Sequence, residues 1–181
     1  HVHVEQVRFE GLRKTQLITA QQYVRETTVG TLFNLNALNR DLQRLFDSGL
    51  FESVRARPEP GSHPDSAVIV IEVKEARTTQ ASFGLGYSST YGLLGFLEFR
   101  DRNWQGRAQS FAVRVERAVQ SETADQLNYE ISFNEPFLDA GGSGLGLSLF
   151  SRATIEREYN PDGSARSRFN LDRTGASATL T

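Results

Sequence analysis

The chain has 181 residues, 38% of them hydrophobic, with 22 Asp and Glu against 20 Lys and Arg. That length can bury one core or two small ones, and a net charge of -2 leaves no electrostatic footprint for nucleic acid. The chain has no cysteine, which excludes a disulfide framework and a thiolate metal site.

Methionine is absent too, and His1 in first place reads as a processed or cut N-terminus, with no signal peptide visible. The longest unbroken apolar run, Ala67 to Ile71, falls far short of the roughly 18 residues a membrane helix needs. Membrane strands alternate and carry a weaker hydropathy signal, so they stay open.

In chain order, His1 to Phe9 alternates with Val2, Val4, Val7 and Phe9 apolar, which predicts a strand with a bulge. Thr19 is placed to N-cap a short helix running through Arg25 and Glu26, with Gly30 turning the chain. Asn34 or Asn36 can cap a second helix. Leu35, Leu38, Leu42, Leu45 and Phe46 form its apolar face, and Gly49 stands where a C′ glycine belongs. Leu50 to Arg57 reads as a strand, Pro58 to Asp65 as a loop, and Ala67 to Val73 as a buried strand. The order β-α-α-β-β is an α+β pattern, one sheet with its apolar face under two helices.

From Arg77 the period changes to two. Ala81, Phe83, Leu85 and Tyr87 alternate with small or polar residues, as do Phe111, Val113 and Val115. Leu127, Tyr129, Ile131 and Phe133, then Leu145, Leu147 and Leu149, repeat the pattern. With Leu93 to Arg100 these make five strands of about ten residues, the length a tilted strand needs to cross a bilayer. A sixth starts near Gly175. Turns at Asp101–Arg107 and Glu135–Gly142 carry Trp104 and Phe137, aromatics suited to a membrane–water interface. The remaining connections are Ser88–Gly92, Ala118–Asp125 and a long polar loop from Glu156 to Arg173. Alternation alone also describes a soluble sandwich or a lipocalin-like barrel. The polar face argues against these, because Gln, Asn, Arg and Glu inside a small dry barrel would lack partners.

Leu38 to Leu50 followed by Phe51-Glu52-Ser53-Val54 resembles the helix-to-strand step of a POTRA domain. Gly95 with Asp101-Arg102-Asn103-Trp104-Gln105-Gly106, and then Ile131 to Phe137, resemble the opening hairpins of the BamA/TamA-type outer-membrane protein-assembly family. The resemblance implies a POTRA-like periplasmic domain over residues 1–76. Residues 77–181 then form the first five to six antiparallel strands of a transmembrane β-barrel, truncated before the family's later Arg-Gly-Phe-type motif. The expected setting is the outer membrane with the N-terminal domain in the periplasm. Expected partners are unfolded outer-membrane protein clients, the lipid bilayer and periplasmic or lipoprotein accessory subunits.

Two strands are candidate sites. The POTRA edge Phe51, Glu52, Ser53, Val54, Arg55, Ala56 and Arg57 has the character of a β-augmentation site, or of an ordinary edge guarded by its two arginines. The first barrel strand, Gln80, Ala81, Ser82, Phe83, Gly84, Leu85, Gly86 and Tyr87, would be a lateral gate by the resemblance. Its glycines either loosen that seam or merely relieve crowding at the barrel wall.

No catalytic residue, cofactor or metal site is expected. His1 and His3 share a face but lack a third ligand, and His63 has no serine partner in sight. The glycine-rich run 139–144 lacks a P-loop lysine and precedes a strand. Arg100, Arg102, Arg107, Arg114 and Arg117 suit a channel lining or lipid headgroups. Alternatives to an insertion factor are a two-partner-type secretion pore and, from another class, a passive porin or barrel enzyme with a plug domain.

Overall fold

A computed structural model describes residues 2–89, 92–118, 127–139, 141–159 and 165–181. The chain divides into two compact units, His1–Thr78 with Arg102–Gln109, and Thr79–Asp101 with Ser110–Thr181.

The first unit contains β1 (His3–Glu10), α1 (Leu17–Gln22), α2 (Leu35–Asp47), β2 (Phe51–Pro60) and β3 (Ser66–Glu75). The sheet order is β1-β3-β2, with β1 parallel and β2 antiparallel to β3. A register shift between Val4 and Gln6 is the bulge that the broken alternation implies. β3 is central, and Ile69, Val70 and Ile71 are wholly buried in it. One face lies under the helices, whose buried residues include Ala20, Leu38 and Leu45. The other face carries Arg8 and Arg57, ion-paired with Glu10, Glu59 and Glu72. Val70 shares that face with both arginines, since it is the register partner of Arg8 and Arg57, and their alkyl stems explain its burial.

Helix α2 begins where the Asn34 carboxamide accepts from the amides of Asn36 and Ala37. It ends at Gly49, whose φ of 69° suits a residue without Cβ. Its buried stripe is Leu38, Asp41 and Leu45, whereas Leu35 and Phe46 are more than half exposed. A carboxylate takes an inward position because it has backbone to bind. Asp41 accepts from the amides of Arg25, Glu26 and Thr27 and from the Arg44 guanidinium.

Three local expectations fail here, the first being the length of α1, which ends at Gln22 and does not reach Arg25 and Glu26. Thr19 does not cap α1; it is buried inside that helix, and the cap residue is Gln16. Pro58 and Pro60 lie in β2 instead of starting a loop, which an edge strand allows because the missing N–H is not needed on its open side.

The segment Arg102–Gln109 packs within the first unit. Asn103 is 1% exposed; its amide nitrogen donates to the Thr15 hydroxyl at 2.8 Å and its oxygen accepts from the Ala108 amide at 2.9 Å. The Gln16 amide donates to the Gly106 carbonyl at 2.9 Å. Gly106 has φ 74°, and a Cβ there would strike the Lys14 carbonyl. Loop 13–15 is itself held by the Glu75 carboxylate, which accepts from the amides of Arg13, Lys14 and Thr15.

The second unit is one antiparallel sheet in sequence order: β4 (Thr79–Ser88), β5 (Gly92–Trp104), β6 (Gln109–Ala118), β7 (Leu127–Glu135), β8 (Leu145–Tyr159) and β9 (Ala165–Leu180). Among the described residues every buried hydrophobe belongs to the first unit. The odd-numbered apolar residues of β4 are open instead: Phe83 is 84% exposed, Leu85 75% and Tyr87 81%. A soluble two-layer sandwich would bury them.

The polar stretch Glu156–Arg173 is not a loop where it is described. β8 and β9 pair from Leu145↔Leu180 up to Tyr159↔Ala165, so the sixth strand starts at Ala165, not near Gly175. Backbone pairing holds such a ribbon together whatever its composition, so hydropathy gives little sign of it. The Ala118–Asp125 connection lies outside the described residues apart from Ala118, as does the middle of Ser88–Gly92.

Candidate functional site

Both candidate strands stand at the edge of their sheet, β2 opposite β1 and β4 opposite β9. In the first unit, the Gly61 amide donates to the Ser66 carbonyl at 3.0 Å, so odd-numbered residues at this end of β2 turn their backbone toward β3. Even-numbered ones therefore face outward from Val54 to Pro60. Pro58 and Pro60 bring no donor, which leaves the outward N–H groups of Val54 and Ala56. Both of these donors lie between Phe51 and Arg57. Arg55 and Arg57 project to the charged face, and Arg57 is tied to Glu10, Glu59 and Glu72. The opposite edge, β1, is occupied at its start: Val4 donates to the Thr31 carbonyl and accepts from Gly30, and His3 bridges Leu32.

In the second unit β4 is an outermost strand among the described residues, paired with β5 from Thr79↔Asp101 to Ser88↔Gly92. Gln80, Ser82, Gly84 and Gly86 lie on its polar face; Ala81, Phe83, Leu85 and Tyr87 lie on the apolar one. The two glycines have different surroundings. A Cβ on Gly84 would meet Phe96 Cε1 at 2.5 Å and Cζ at 2.7 Å, whereas one on Gly86 would meet nothing within 4 Å.

Phe96 therefore lies across Gly84, its cross-strand partner, on the face that also carries Gln80, Ser82, Glu98 and Arg100. The Arg114 guanidinium stacks 4.4 Å from the Phe96 ring centre and bonds Glu98 at 2.9 Å and Glu116 at 3.3 Å. The arrangement recurs further along the sheet. Phe150 covers Gly175, Arg152 stands 5.2 Å from its ring centre, and Glu130 holds Arg152 at 2.9 Å. Sequence reasoning missed Phe96 and Phe150, because an aromatic on a polar face breaks the alternation and its glycine is on another strand. Spacing within one strand could not have found them.

The electrostatics of the first unit serve its fold. The Arg40 and Arg44 guanidiniums hold Glu26 down to about 2. Burial pushes Glu75 up, but the Lys14, Thr15 and Arg13 amides outweigh it and leave the group below the usual carboxylate range. No group of three or more His, Cys, Asp or Glu suited to a metal ion occurs among the described residues. Trp104 ends β5 half-buried, and Phe137 is half-buried after β7 with its amide on the Glu135 carboxylate.

The POTRA family model (surface antigen variable number repeat) matches residues 2–76. The outer membrane protein assembly factor BamA of Neisseria meningitidis serogroup B is 25% identical over 159 residues, which are 87% of this chain and 19% of that relative. The chain therefore spans about a fifth of that protein's length. Among solved structures, BamA from Haemophilus ducreyi lacking POTRA domains 1–3 superposes with a TM-score of 0.75 at 26% identity, covering 99% of this chain and 32% of that one. CdiB from Escherichia coli, at 17% identity and TM-score 0.61 over 99% of this chain and 32% of that one, shares the fold. Residues 2–76 are a POTRA domain, and over 99% of its length the chain is similar in element order and fold to BamA, whose barrel the six-stranded open sheet overlays.

Proposed function

We propose that this chain is the part of an outer-membrane protein-insertion factor that receives client strands, first on the β2 edge and then on β4 as a lateral gate. The family's members are outer-membrane proteins with periplasmic POTRA domains, and this chain takes that setting. In this reading residues 1–76 are the periplasmic domain and 77–181 the first strands of the barrel wall. The exposed odd-numbered face of the sheet meets lipid, and Trp104 and Phe137 mark the periplasmic interface. The proposed partners are unfolded outer-membrane proteins, the bilayer and accessory periplasmic subunits.

The observation that carries the reading is the exposed apolar face of β4 on a strand at the sheet's edge: Phe83, Leu85 and Tyr87 are each at least three-quarters exposed. A hydrogen-bonding edge backed by lipid-facing side chains is what an incoming membrane strand lacks. Unpaired backbone in hydrocarbon costs several kcal/mol per group, so pairing a client there is downhill and needs no nucleotide. The relatives' names describe assembly factors, and no step in this reading calls for catalysis.

The test is photocrosslinking in cells from single positions between Gln80 and Tyr87 of the full-length protein. Newly made outer-membrane proteins should be captured at the β4 edge and not from Ser132 in mid-sheet. Equal capture at both places, or none at β4, would remove the gate.

A further inference from the structure

We propose that Phe96 sets the register of the strand that adds to β4, by offering its ring to an aliphatic or aromatic side chain placed opposite Gly84. This rests on β4 being the accepting edge.

An added strand finds little else on β4 to fix its position. On the apolar face Ala81, Phe83, Leu85 and Tyr87 form a continuous row, so a slip of two residues exchanges one apolar contact for another. On the other face Gln80, Ser82 and Gly86 are small or polar. Gly84 is the exception. The Phe96 ring edge stands where a Gly84 side chain would begin. A residue opposite Gly84 on the added strand would have its Cβ roughly 4.5–5.5 Å from that point, within reach of the ring. Leu94 faces Gly86 across the pair but does not reach over it, because that Cβ position has no neighbour within 4 Å. Along β4, then, Gly84 is covered by an apolar ring and Gly86 is covered by nothing.

The ring is also held. Arg114 stacks on it at 4.4 Å and is anchored by Glu98 and Glu116. Glycine at position 84 is what opens the place, since any larger residue would displace the ring.

The experiment uses the full-length protein in detergent micelles with Ser82→Cys. The probe is a synthetic ten-residue peptide with leucine on one face and threonine on the other, one threonine replaced by phenylalanine. A cysteine is walked along the peptide and disulfide yield gives the register. One register should dominate its two-residue slips about tenfold, which is about 1.4 kcal/mol. Moving the peptide's phenylalanine by two residues should move the leading register by two. Phe96→Leu should keep the preference, and Phe96→Ala should flatten it to within about twofold at similar total yield. A leading register that ignores the peptide's phenylalanine overturns the proposal, and so does one that stays sharp in Phe96→Ala; β4 as acceptor survives both. The peptide shift is read on the native ring, so it decides even if Phe96→Ala misfolds. No disulfide with any peptide position removes the accepting edge itself, and the proposal with it.

Discussion

Asp41 is 0% exposed and binds three consecutive backbone amides. Asp41→Ala leaves those donors buried without an acceptor and should cost about 3 kcal/mol, read as a lower urea midpoint of the first unit. Burial alone would raise its pKa, but the Arg25 and Thr27 amides lower it on balance. Glu26, Glu75 and Asp41 are all depressed, so the stability they confer is present above the unfolded carboxylate range. It is lost as pH falls toward about 2, where Glu26 titrates. The urea midpoint should fall as the pH drops from roughly 5 to roughly 3, the upper part of that window. In Glu26→Gln the slope over that range should be shallower. On β4, Gly84→Ala must push the Phe96 ring aside and should cost about 1–3 kcal/mol in thermal unfolding. Gly86→Ala has open space and should stay within about 0.5 kcal/mol. Equal effects would contradict the difference in their surroundings.

At the scale of elements, the prolines of β2 define what its edge can accept. Ala56→Pro removes an outward donor while leaving the ladder to β3 intact, so client capture on β2 should fall with little loss of stability. Arg57→Pro, whose nitrogen faces β3, should destabilise the unit outright. Segment Arg102–Gln109 depends on Asn103 in the same local way. Asn103→Ala removes the bonds to Thr15 and Ala108 and should raise hydrogen exchange at the Ala108 amide about 30-fold, or about 2 kcal/mol. Unchanged protection there would mean that Gly106 and Gln16 hold the segment by themselves.

Over the whole molecule, the two units place their apolar residues differently. The first has an ordinary buried core; the second, as described, buries no hydrophobe and exposes one face of apolar side chains. In the bilayer reading, Phe83→Arg should impair folding of the full-length protein into liposomes by about 2–4 kcal/mol, and Ser82→Arg by far less. Equal tolerance of both would mean that the odd-numbered face does not meet lipid.

Periodicity alone made much of this legible. Leu38 and Leu45 at helical spacing, Gly49 after them, and the alternation of Phe83 to Tyr87 and of Leu127 to Phe133 are local signals that the backbone turns directly into faces. The failures share one cause. Thr19 as a cap, Pro58 as a loop and Glu156–Arg173 as a loop were all judged from residue type, and in each case a neighbour in space decided instead. Thr19 went to the core, Pro58 found an open edge, and the polar ribbon found its pairing partner. The amino-acid order by itself determined the two periods and the element order, because those depend on residues close together in the chain. Tertiary structure alone decided that Phe96 lies over Gly84, that Asn103 binds Thr15, and that two prolines narrow the β2 edge. Each of those is a contact between distant residues, and its energy comes from the fit of surfaces that no spacing records.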